Sequence, residues 1–229
     1  KLAGIKLRER LAEVAAQTLE AAASDIEITD GRAVVRGTDL AVPVAQLARA
    51  AYHESQRFPA ILETGLSAVA TYDPGGTFSN ACHAAIVEVD TATGRVTIER
   101  FVIVEDAGVL INPTIVEGQI HGGVAQGIAN ALYEAIVHDA DGNVLTGSLA
   151  DYLVPTMAEI PALEIHHLET VTDASVTGVK GVGEGGAIGA PGAVLNAVAD
   201  ALRPFGVAIC EMPITPQRIV ELLRGRPCP

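Results

Sequence analysis

The sequence is poor in aromatic residues and in lysine, and it contains no tryptophan. Aromatic residues make up 3 % of the 229 residues, and the only lysines are Lys1, Lys6 and Lys180. The formal net charge of −13 repels polyanions and argues against nucleic acid as a partner. Hydrophobic residues still account for 49 % of the chain, so Val, Ile, Leu and Ala can build a sizeable core.

Cysteine is scarce, and long apolar runs are absent. Cys82, Cys210 and Cys228 lack the paired spacing of a disulfide framework, a zinc site or an iron–sulfur site, so we interpret them as buried or incidental thiols. No apolar run reaches the roughly 18 residues that cross a bilayer, and no membrane span is predicted. The first residues, KLAGIKLRER, are charged and helical in pattern, unlike a signal peptide. A cytoplasmic location is therefore expected.

Hydrophobic periodicity predicts an α+β chain with mixed sheets and packed helices, organised in two parts. Residues 1–57 form a small α+β segment, and residues 58–229 form a larger C-terminal domain. In the first part we predict a helix over 5–23, a hairpin turning at Asp30-Gly31 and a helix opening after Pro43. In the second part we predict a strand over 66–76, two long strands joined at 91–94, a helix opening near Asn112-Pro113, an extended stretch over 144–172 and helices beginning at Pro191 and Pro216.

A glycine-rich stretch near the C-terminus reads TGVKGVGEGGAIGAPG, residues 177–192. Gly181 to Gly186 match the pattern G-x-G-x-x-G, which in dinucleotide-binding proteins follows an apolar parallel strand and opens a helix. The preceding residues, TDASVTGVK, do not form such a strand, and no Gly-Lys-Ser/Thr follows. A nucleotide-binding protein is therefore a weak alternative, which requires a parallel sheet leading into Gly181.

Glu184 is the single carboxylate among these glycines. If this side chain is buried, its pKa rises toward neutrality, which suits a general base. The flanking glycines would let backbone N–H groups approach a ligand closely. Composition alone leaves a second interpretation open, in which Glu184 lies in a solvated surface loop without a special role.

Four blocks of sequence, in order, resemble one enzyme family. The chain is similar from about residue 60 to residue 202 to the C-terminal part of the molybdopterin-binding large subunit of the xanthine dehydrogenase/aldehyde oxidase family, the molybdenum hydroxylases. The likeness is strongest to bacterial large subunits of the carbon-monoxide-dehydrogenase type. The blocks are FSNACHAAIVEVDTATGRV, DAGVLINPTIVEGQIHGGVAQGIANALYE, DYLVPTMAEIP and GVKGVGEGG.

The resemblance implies a catalytic role for Glu184. It matches the glutamate that takes the proton from a hydroxyl group on molybdenum, after which the oxygen attacks an electrophilic substrate carbon and hydride passes to a sulfido ligand. Gln126 matches a glutamine that hydrogen-bonds the molybdopterin, and an amide suits this contact because it donates and accepts without adding charge. Lys180 either neutralises the charge of the pterin or is an ordinary surface lysine.

The same resemblance implies that several backbone segments border the cofactor. Gly181, Val182 and Gly183 match a stretch whose backbone lies close to it. Gly122 and Gly123 would be bare because a large anionic cofactor abuts the helix there. Tight packing between helices is the alternative explanation for these two glycines.

No protein ligand to a metal is expected, because the pterin dithiolene holds molybdenum in this family. His83 and His121 each stand beside apolar residues and are interpreted as ordinary polar groups. His166 and His167 lie in a predicted strand, so their side chains point to opposite faces and cannot readily share a metal.

The resemblance also implies an assembly. The cofactor would be molybdopterin in its cytosine dinucleotide form with molybdenum, and FAD and [2Fe–2S] clusters would reside on partner subunits. A larger molybdopterin-binding subunit would carry the missing N-terminal portion. The chain is then a split or fragment subunit of a hydroxylase, inactive alone, that uses water to hydroxylate an N-heteroaromatic or aldehyde-like carbon of a small molecule. The alternative is a non-catalytic assembly or cofactor-insertion module that retains the scaffold.

Overall fold

The computed structural model describes residues 1–59, 64–73 and 75–225. The chain divides into two compact units, Lys1–Pro74 and Gly75–Pro229, each with its own hydrophobic core. In the part of the chain that the structure describes, no helix is long and apolar enough to cross a membrane.

The first unit packs two helices against a small antiparallel sheet of order β1-β2-β3. Asp30 and Gly31 both have positive φ, 46° and 72°, as the central residues of a type I′ hairpin turn require. Val14, Ala33 and Leu47 lie in the core of this unit. The predicted hairpin and both helices are confirmed, with α1 at Leu2–Leu19, β1 at Ile26–Thr29, β2 at Arg32–Val35, β3 at Ala41–Pro43 and α2 at Val44–His53.

The described residues after α2 hydrogen-bond back to the first unit. Lys6 Nζ donates to the carbonyl of Val69 over 3.0 Å, and the Tyr52 hydroxyl donates to the carbonyl of Leu66, also over 3.0 Å. Leu66 packs against the core of this unit. These contacts join residues 64–73 to the first unit. The strand predicted within 66–76 is wrong for the described residues, which pair with no other strand; Val69 is 84 % exposed.

The second unit contains a mixed sheet of order β4-β5-β6, and α4 contacts both β4 and α3. Strands β4 and β5 are antiparallel, whereas β5 and β6 are parallel. This arrangement confirms the predicted α+β class with mixed sheets. The elements are β4 at Asn80–Val89, β5 at Val96–Asp106, α3 at Pro113–Leu132, β6 at Leu163–Leu168, α4 at Gly185–Leu202 and α5 at Pro216–Leu223.

Two of the predicted helix starts in this unit are confirmed by their caps. The Asn112 side chain accepts a hydrogen bond from the backbone N–H of Ile115 over 3.2 Å at the start of α3. The Thr215 hydroxyl accepts one from the N–H of Arg218 over 3.2 Å at the start of α5. Of the extended stretch predicted over 144–172, only β6 is a strand.

Helix α4 begins earlier than predicted, at Gly185 rather than at Pro191. Glycine disfavours a helix interior, and proline is tolerated only in the first turn, so local propensity places the helix start after the glycines, at Pro191. Packing against α3 overrides this preference. The two helices are so close that a Cβ at Gly186 would stand 2.6 Å from the carbonyl oxygen of Ile120 on α3, and only glycine fits there. The glycines of α4 thus allow close contact between the two helices.

Candidate active site

Glu184 is the N-cap residue of α4. Its backbone carbonyl accepts hydrogen bonds from the N–H groups of Ala187 and Ile188, over 2.9 and 3.1 Å, and so joins the first turn of the helix. Its side chain makes no capping hydrogen bond and is exposed, so the expectation of a buried carboxylate is wrong for this structure. The backbone of Glu184 is therefore fixed by the helix, while its carboxylate is left available.

Helices α3 and α4 touch through backbone atoms immediately after Glu184. A Cβ at Gly123 would lie 2.8 Å from the backbone nitrogen of Ala187 and 3.0 Å from the Cα of Gly186. Tight helix packing therefore accounts for Gly123. This contact places the middle of α3 directly beside the first turn of α4.

Gly122 and Gln126 differ from Gly123 because both are exposed. Outside the neighbouring backbone of α3, no atom of the described residues lies within 4 Å of the position that a Cβ would take at Gly122. Residues four apart share one face of a helix, so Gly122 and Gln126 form a single exposed patch on α3. The patch combines a bare backbone with a neutral amide.

The loop before Glu184 is anchored at one residue and open at its glycines. Val182 is partly buried and packs against the core of the second unit. Gly181 and Gly183 are exposed; a Cβ at Gly181 would lie 3.6 Å from the carbonyl oxygen of Thr77, and nothing lies within 4 Å of that position at Gly183. The contact of these three residues with a cofactor stays a prediction.

Lys180 forms an ion pair with Asp106, and neither side chain is more than 10 % exposed. The Nζ–Oδ2 distance is 3.1 Å, while Oδ1 of Asp106 accepts hydrogen bonds from the N–H groups of Gly108 and Thr170, over 3.0 and 3.1 Å. Hydrogen bonding to Thr170, then to Gly108 and Lys180, holds the pKa of Asp106 well below its usual range, although burial opposes the shift. Lys180 is therefore not a surface lysine; it ties the loop before Glu184 to the end of β5.

Glu105 is a second carboxyl group near α4, and it is inaccessible to solvent. A Cβ at Gly185 would overlap Oε1 of Glu105 and lie 2.7 Å from its Cδ. Burial raises the pKa of Glu105, which Asp106 raises further and Ser79 and His167 lower. Ser79 lies near enough to affect the pKa, yet neither carboxyl oxygen makes a hydrogen bond of acceptable geometry with any described residue.

Sequence reasoning missed Glu105, although the sequence carried a signal. Phe101, Ile103 and Glu105 alternate along β5, and the first two are buried core residues. Alternation places an apolar residue at position 105, so a carboxylate there breaks the pattern. The break in alternation at position 105 is therefore a sequence signal of a functional residue.

The histidines show no shared metal site. Both ring nitrogens of His83 are buried without a hydrogen-bond partner among the described residues, and burial lowers the pKa of His83. His121 is exposed, and its Nδ1 lies 2.8 Å from the carbonyl oxygen of Glu117. His166 is exposed and His167 partly buried, which confirms that they occupy opposite faces of β6.

The cysteines and the acidic residues do not add a candidate metal site among the described residues. Cys82 and Cys210 are both exposed, so of the two interpretations only that of incidental thiols fits them, and Cys228 lies outside the described residues. The described residues contain no group of three or more His, Cys, Asp or Glu placed to hold a metal ion.

The nucleotide-binding alternative fails on the residues before Gly181. Residues 169–180 form no β-strand. Val179 makes only an isolated antiparallel bridge with Gly108. A dinucleotide fingerprint needs a parallel strand at this point. The glycine pattern instead reflects the contact of α4 with α3 and with Glu105.

A surface cavity of about 330 Å³ lies elsewhere in the second unit. It is lined mainly by the start of β5, the end of α3 and residues 158–161, with Arg95, Thr97, Tyr133 and Glu159 as its polar side chains. None of the site residues predicted from sequence lines it. The cavity is therefore not part of the site around Glu184.

The chain matches known proteins over nearly its whole length. The family model of the molybdopterin cofactor-binding domain matches residues 1–161. The nicotine 6-hydroxylase large subunit of Paenarthrobacter nicotinovorans is 48 % identical, and the carbon monoxide dehydrogenase large chain of Hydrogenophaga pseudoflava is 37 % identical; each alignment covers 97 % of this chain. The crystal structure of quinoline 2-oxidoreductase from Pseudomonas putida 86 superposes with a TM-score of 0.88 at 44 % identity over 96 % of this chain.

The chain spans 28 % of the length of each of these three proteins. The range matched by the family model ends before Glu184, so the role of this residue is a matter for proposal. The family itself is shown by the matched range, by the identities and by the fold. The chain belongs to the molybdopterin cofactor-binding domain family of the molybdenum hydroxylases.

Proposed function

We propose that this chain supplies the catalytic glutamate and part of the molybdopterin site of a molybdenum hydroxylase that acts on N-heteroaromatic compounds. The observation that carries the proposal is the placement of Glu184. It is an exposed carboxylate at the N-cap of α4, and the first turn of that helix touches α3 beside the patch of Gly122 and Gln126.

The open backbone around this point fits a large anionic cofactor. At Gly122 and Gly183 the space that a Cβ would enter is free, so a flat ring system can approach the main chain. The first turn of α4 has no side-chain cap, which leaves N–H groups and the positive end of the helix dipole for negative charge. When bound, the molybdenum cofactor supplies the redox centre that accepts two electrons from the substrate.

Within this proposal Glu184 acts as a general base. Its carboxylate Oε accepts the proton that is released as water-derived oxygen is activated, and it later returns that proton to solvent. The N-cap position suits this task, because the backbone is held by two helix hydrogen bonds while the carboxylate makes no capping hydrogen bond.

Gln126 and the glycines bind and orient the cofactor. The exposed amide of Gln126 can donate one hydrogen bond and accept another without placing a charge beside an anionic group. Val182 anchors the loop in the core, so that Gly181 and Gly183 present their backbone at a fixed place.

The substrate class rests on two relatives. Nicotine and quinoline, which appear in the names of the 48 % and 44 % identical proteins, both contain an aromatic ring with nitrogen. The carbon monoxide dehydrogenase chain is more distant, at 37 % identity. Further parts of a large subunit, together with iron–sulfur and FAD subunits, would complete the enzyme, with the pterin in its cytosine dinucleotide form.

Glu184→Gln in the complete enzyme complex tests the proposal. We expect turnover of nicotine and of quinoline, measured with an artificial electron acceptor, to fall by about 10²–10⁴-fold, because a positioned general base contributes about that much. Molybdenum content, measured by elemental mass spectrometry, should stay at the native level, because the amide is nearly isosteric.

Glu88→Gln is the matched control, since Glu88 is an exposed glutamate on β4 in the same unit. It should leave turnover and molybdenum content unchanged. If Glu184→Gln behaved like this control in a complex that is active, Glu184 would not be the base. A native complex with a full molybdenum content but no turnover of any substrate would favour the assembly or cofactor-insertion module instead.

Gln126→Ala tests the cofactor contact. We expect a lower molybdenum content, because the variant removes both hydrogen bonds of the amide while alanine preserves the helix. Asn130→Ala is the control, since Asn130 is an exposed amide one turn further along α3. Unchanged molybdenum content and turnover in Gln126→Ala would rule out this contact.

A further inference from the structure

Glu105 lies against the first residue of the helix that Glu184 caps. Its side chain projects from β5 toward α4 and is inaccessible to solvent. The carboxyl group is so close to Gly185 that a Cβ there would overlap Oε1 and stand 2.8 Å from Oε2. Gly185 follows Glu184 directly, so any displacement of this carboxyl group moves the residue next to the proposed base.

The surroundings of Glu105 favour an uncharged carboxylic acid. A buried carboxylate needs a cation or several donors, and no described residue forms a hydrogen bond of acceptable geometry with either oxygen. Lys180, the only lysine in the sequence of the second unit, is paired with Asp106. Burial raises the pKa of Glu105, and this effect outweighs the opposing influence of Ser79 and His167.

The ionisable groups around Glu105 come from every neighbouring element. His167 on β6 is its register partner and lies 3.8 Å from the carboxylate of Glu117 on α3, measured from Nε2 to Oε1. Asp106 follows Glu105 on β5, His83 comes from β4, and Glu184 lies on the α4 side. Ionised Glu105 would therefore be repelled by the carboxylate of Asp106, and among these groups only the imidazole of His167 opposes that effect.

We propose that Glu105 is a positioning residue for Glu184: a neutral carboxylic acid, seated against Gly185, that fixes the first turn of α4. The inference builds on the proposed role of Glu184, because Glu105 acts only through it. Glycine at position 185 is then required by the carboxyl group, not by backbone conformation. Ionisation of Glu105 at high pH places an unpaired charge against this turn and lowers turnover.

Infrared difference spectroscopy of the intact complex tests the protonation state without using activity. At neutral pH, the native spectrum minus the Glu105→Gln spectrum should contain the C=O stretching band of one protonated carboxyl group. The control Glu99→Gln changes an exposed glutamate on the same strand, and should remove no such band. If Glu105→Gln also removes none, Glu105 is ionised and the proposal is overturned, whatever Glu184 does.

The positioning role is tested by Gly185→Ala and by the double variant Glu105→Ala/Gly185→Ala. The added methyl group should displace the first turn of α4, accelerate amide hydrogen exchange at 184–188 and lower kcat by about 100-fold with little change in KM. Removing the carboxyl group makes room for the methyl group, so the double variant should recover slow exchange and most of kcat. A double variant no better than Gly185→Ala overturns the positioning role.

The pH profile separates this role from a merely structural one. Glu105→Gln keeps a neutral group of the same size, so it should retain the rate at neutral pH and lose less activity than the native enzyme as the pH rises. An unchanged alkaline limb contradicts the proposal. If Glu184→Gln is fully active, the base assignment fails on its own, while the infrared and hydrogen-exchange results still decide whether Glu105 is neutral and holds Gly185.

Discussion

Three carboxyl groups near the start of α4 have different environments and therefore different chemistry. Glu184 is exposed and makes no capping hydrogen bond, whereas Glu105 and Asp106 are buried. Burial raises the pKa of Glu105, and hydrogen bonds from Thr170 lead the effects that lower the pKa of Asp106. Neighbouring carboxyl groups whose proton affinities are pushed apart in this way are typical of active sites.

At the residue scale, the pair of Asp106 and Lys180 is expected to stabilise the loop before Glu184. Asp106→Asn leaves the largely buried ammonium group of Lys180 without its partner, and loss of one member of a buried pair costs about 3–5 kcal/mol. The pKa of Asp106 is lowered on folding, so its contribution is complete above the unfolded pKa of about 3.9 and is lost as the pH falls below it. Urea unfolding as a function of pH should show a smaller acid-induced loss in the variant.

Arg203→Met is the control for this prediction. Arg203 and Asp200 form an ion pair over 3.2 Å at the C-terminal end of α4, but their side chains are 80 % and 72 % exposed. Exposed pairs contribute about 0–1 kcal/mol, so this variant should unfold nearly as the native protein does. Equal losses of unfolding free energy in the two variants would show that the Lys180–Asp106 pair stabilises the protein no more than an exposed pair does.

At the scale of the elements, the glycines of α3 have two different roles. Gly123 lies against α4, where a Cβ would come within 3.0 Å of backbone atoms, whereas nothing lies within 4 Å of that position at Gly118 or Gly122. Close approach of the two helices explains the first glycine. Helix packing does not explain the open glycines, and Gly122 among them belongs to the exposed patch that we propose binds the cofactor.

Alanine at each of two positions on α3 separates these roles. Gly118→Ala should raise the free energy of unfolding by up to about 1 kcal/mol, because alanine is the better helix former and meets no neighbour. Gly123→Ala should lower it by about 1–3 kcal/mol, because the methyl group forces α3 away from α4. Urea unfolding of the two variants measures the difference, and a gain in stability for Gly123→Ala would contradict the described contact.

At the scale of the whole molecule, the chain has two separate hydrophobic cores. Leu47 is fully buried in the core of Lys1–Pro74, and Ile120 is fully buried in that of Gly75–Pro229. Each core is completed by side chains from its own unit. Local opening of one unit therefore need not open the other.

Leu47→Ala tests this independence. Truncation of a buried leucine side chain lowers the free energy of unfolding by about 2–5 kcal/mol, and we expect this loss of stability in the first unit only. Hydrogen–deuterium exchange followed by mass spectrometry should become faster in peptides from 1–59 and stay unchanged in peptides from 75–225, while Ile120→Ala should give the reverse pattern. Faster exchange throughout the chain in both variants would show a single cooperative unit.

Much of the fold could be predicted because its signals are local. The turn at Asp30-Gly31 and the helix starts near Asn112-Pro113 and at Pro216 depend on neighbouring residues, and all three predictions are confirmed. The predicted strand within 66–76 was wrong because its β-forming residues found no partner strand. A strand depends on pairing, which a local pattern does not contain.

Short motifs and periodic patterns, which are properties of neighbouring residues, were enough to predict the family, the α+β class and the candidates Glu184, Gln126 and the glycines. The folded chain was needed to show where α4 begins, that Glu184 is exposed, that Lys180 pairs with Asp106 and that Glu105 lies against Gly185. These last features join residues many positions apart. Their energies come from packing and burial, which depend on which surfaces meet in the folded chain.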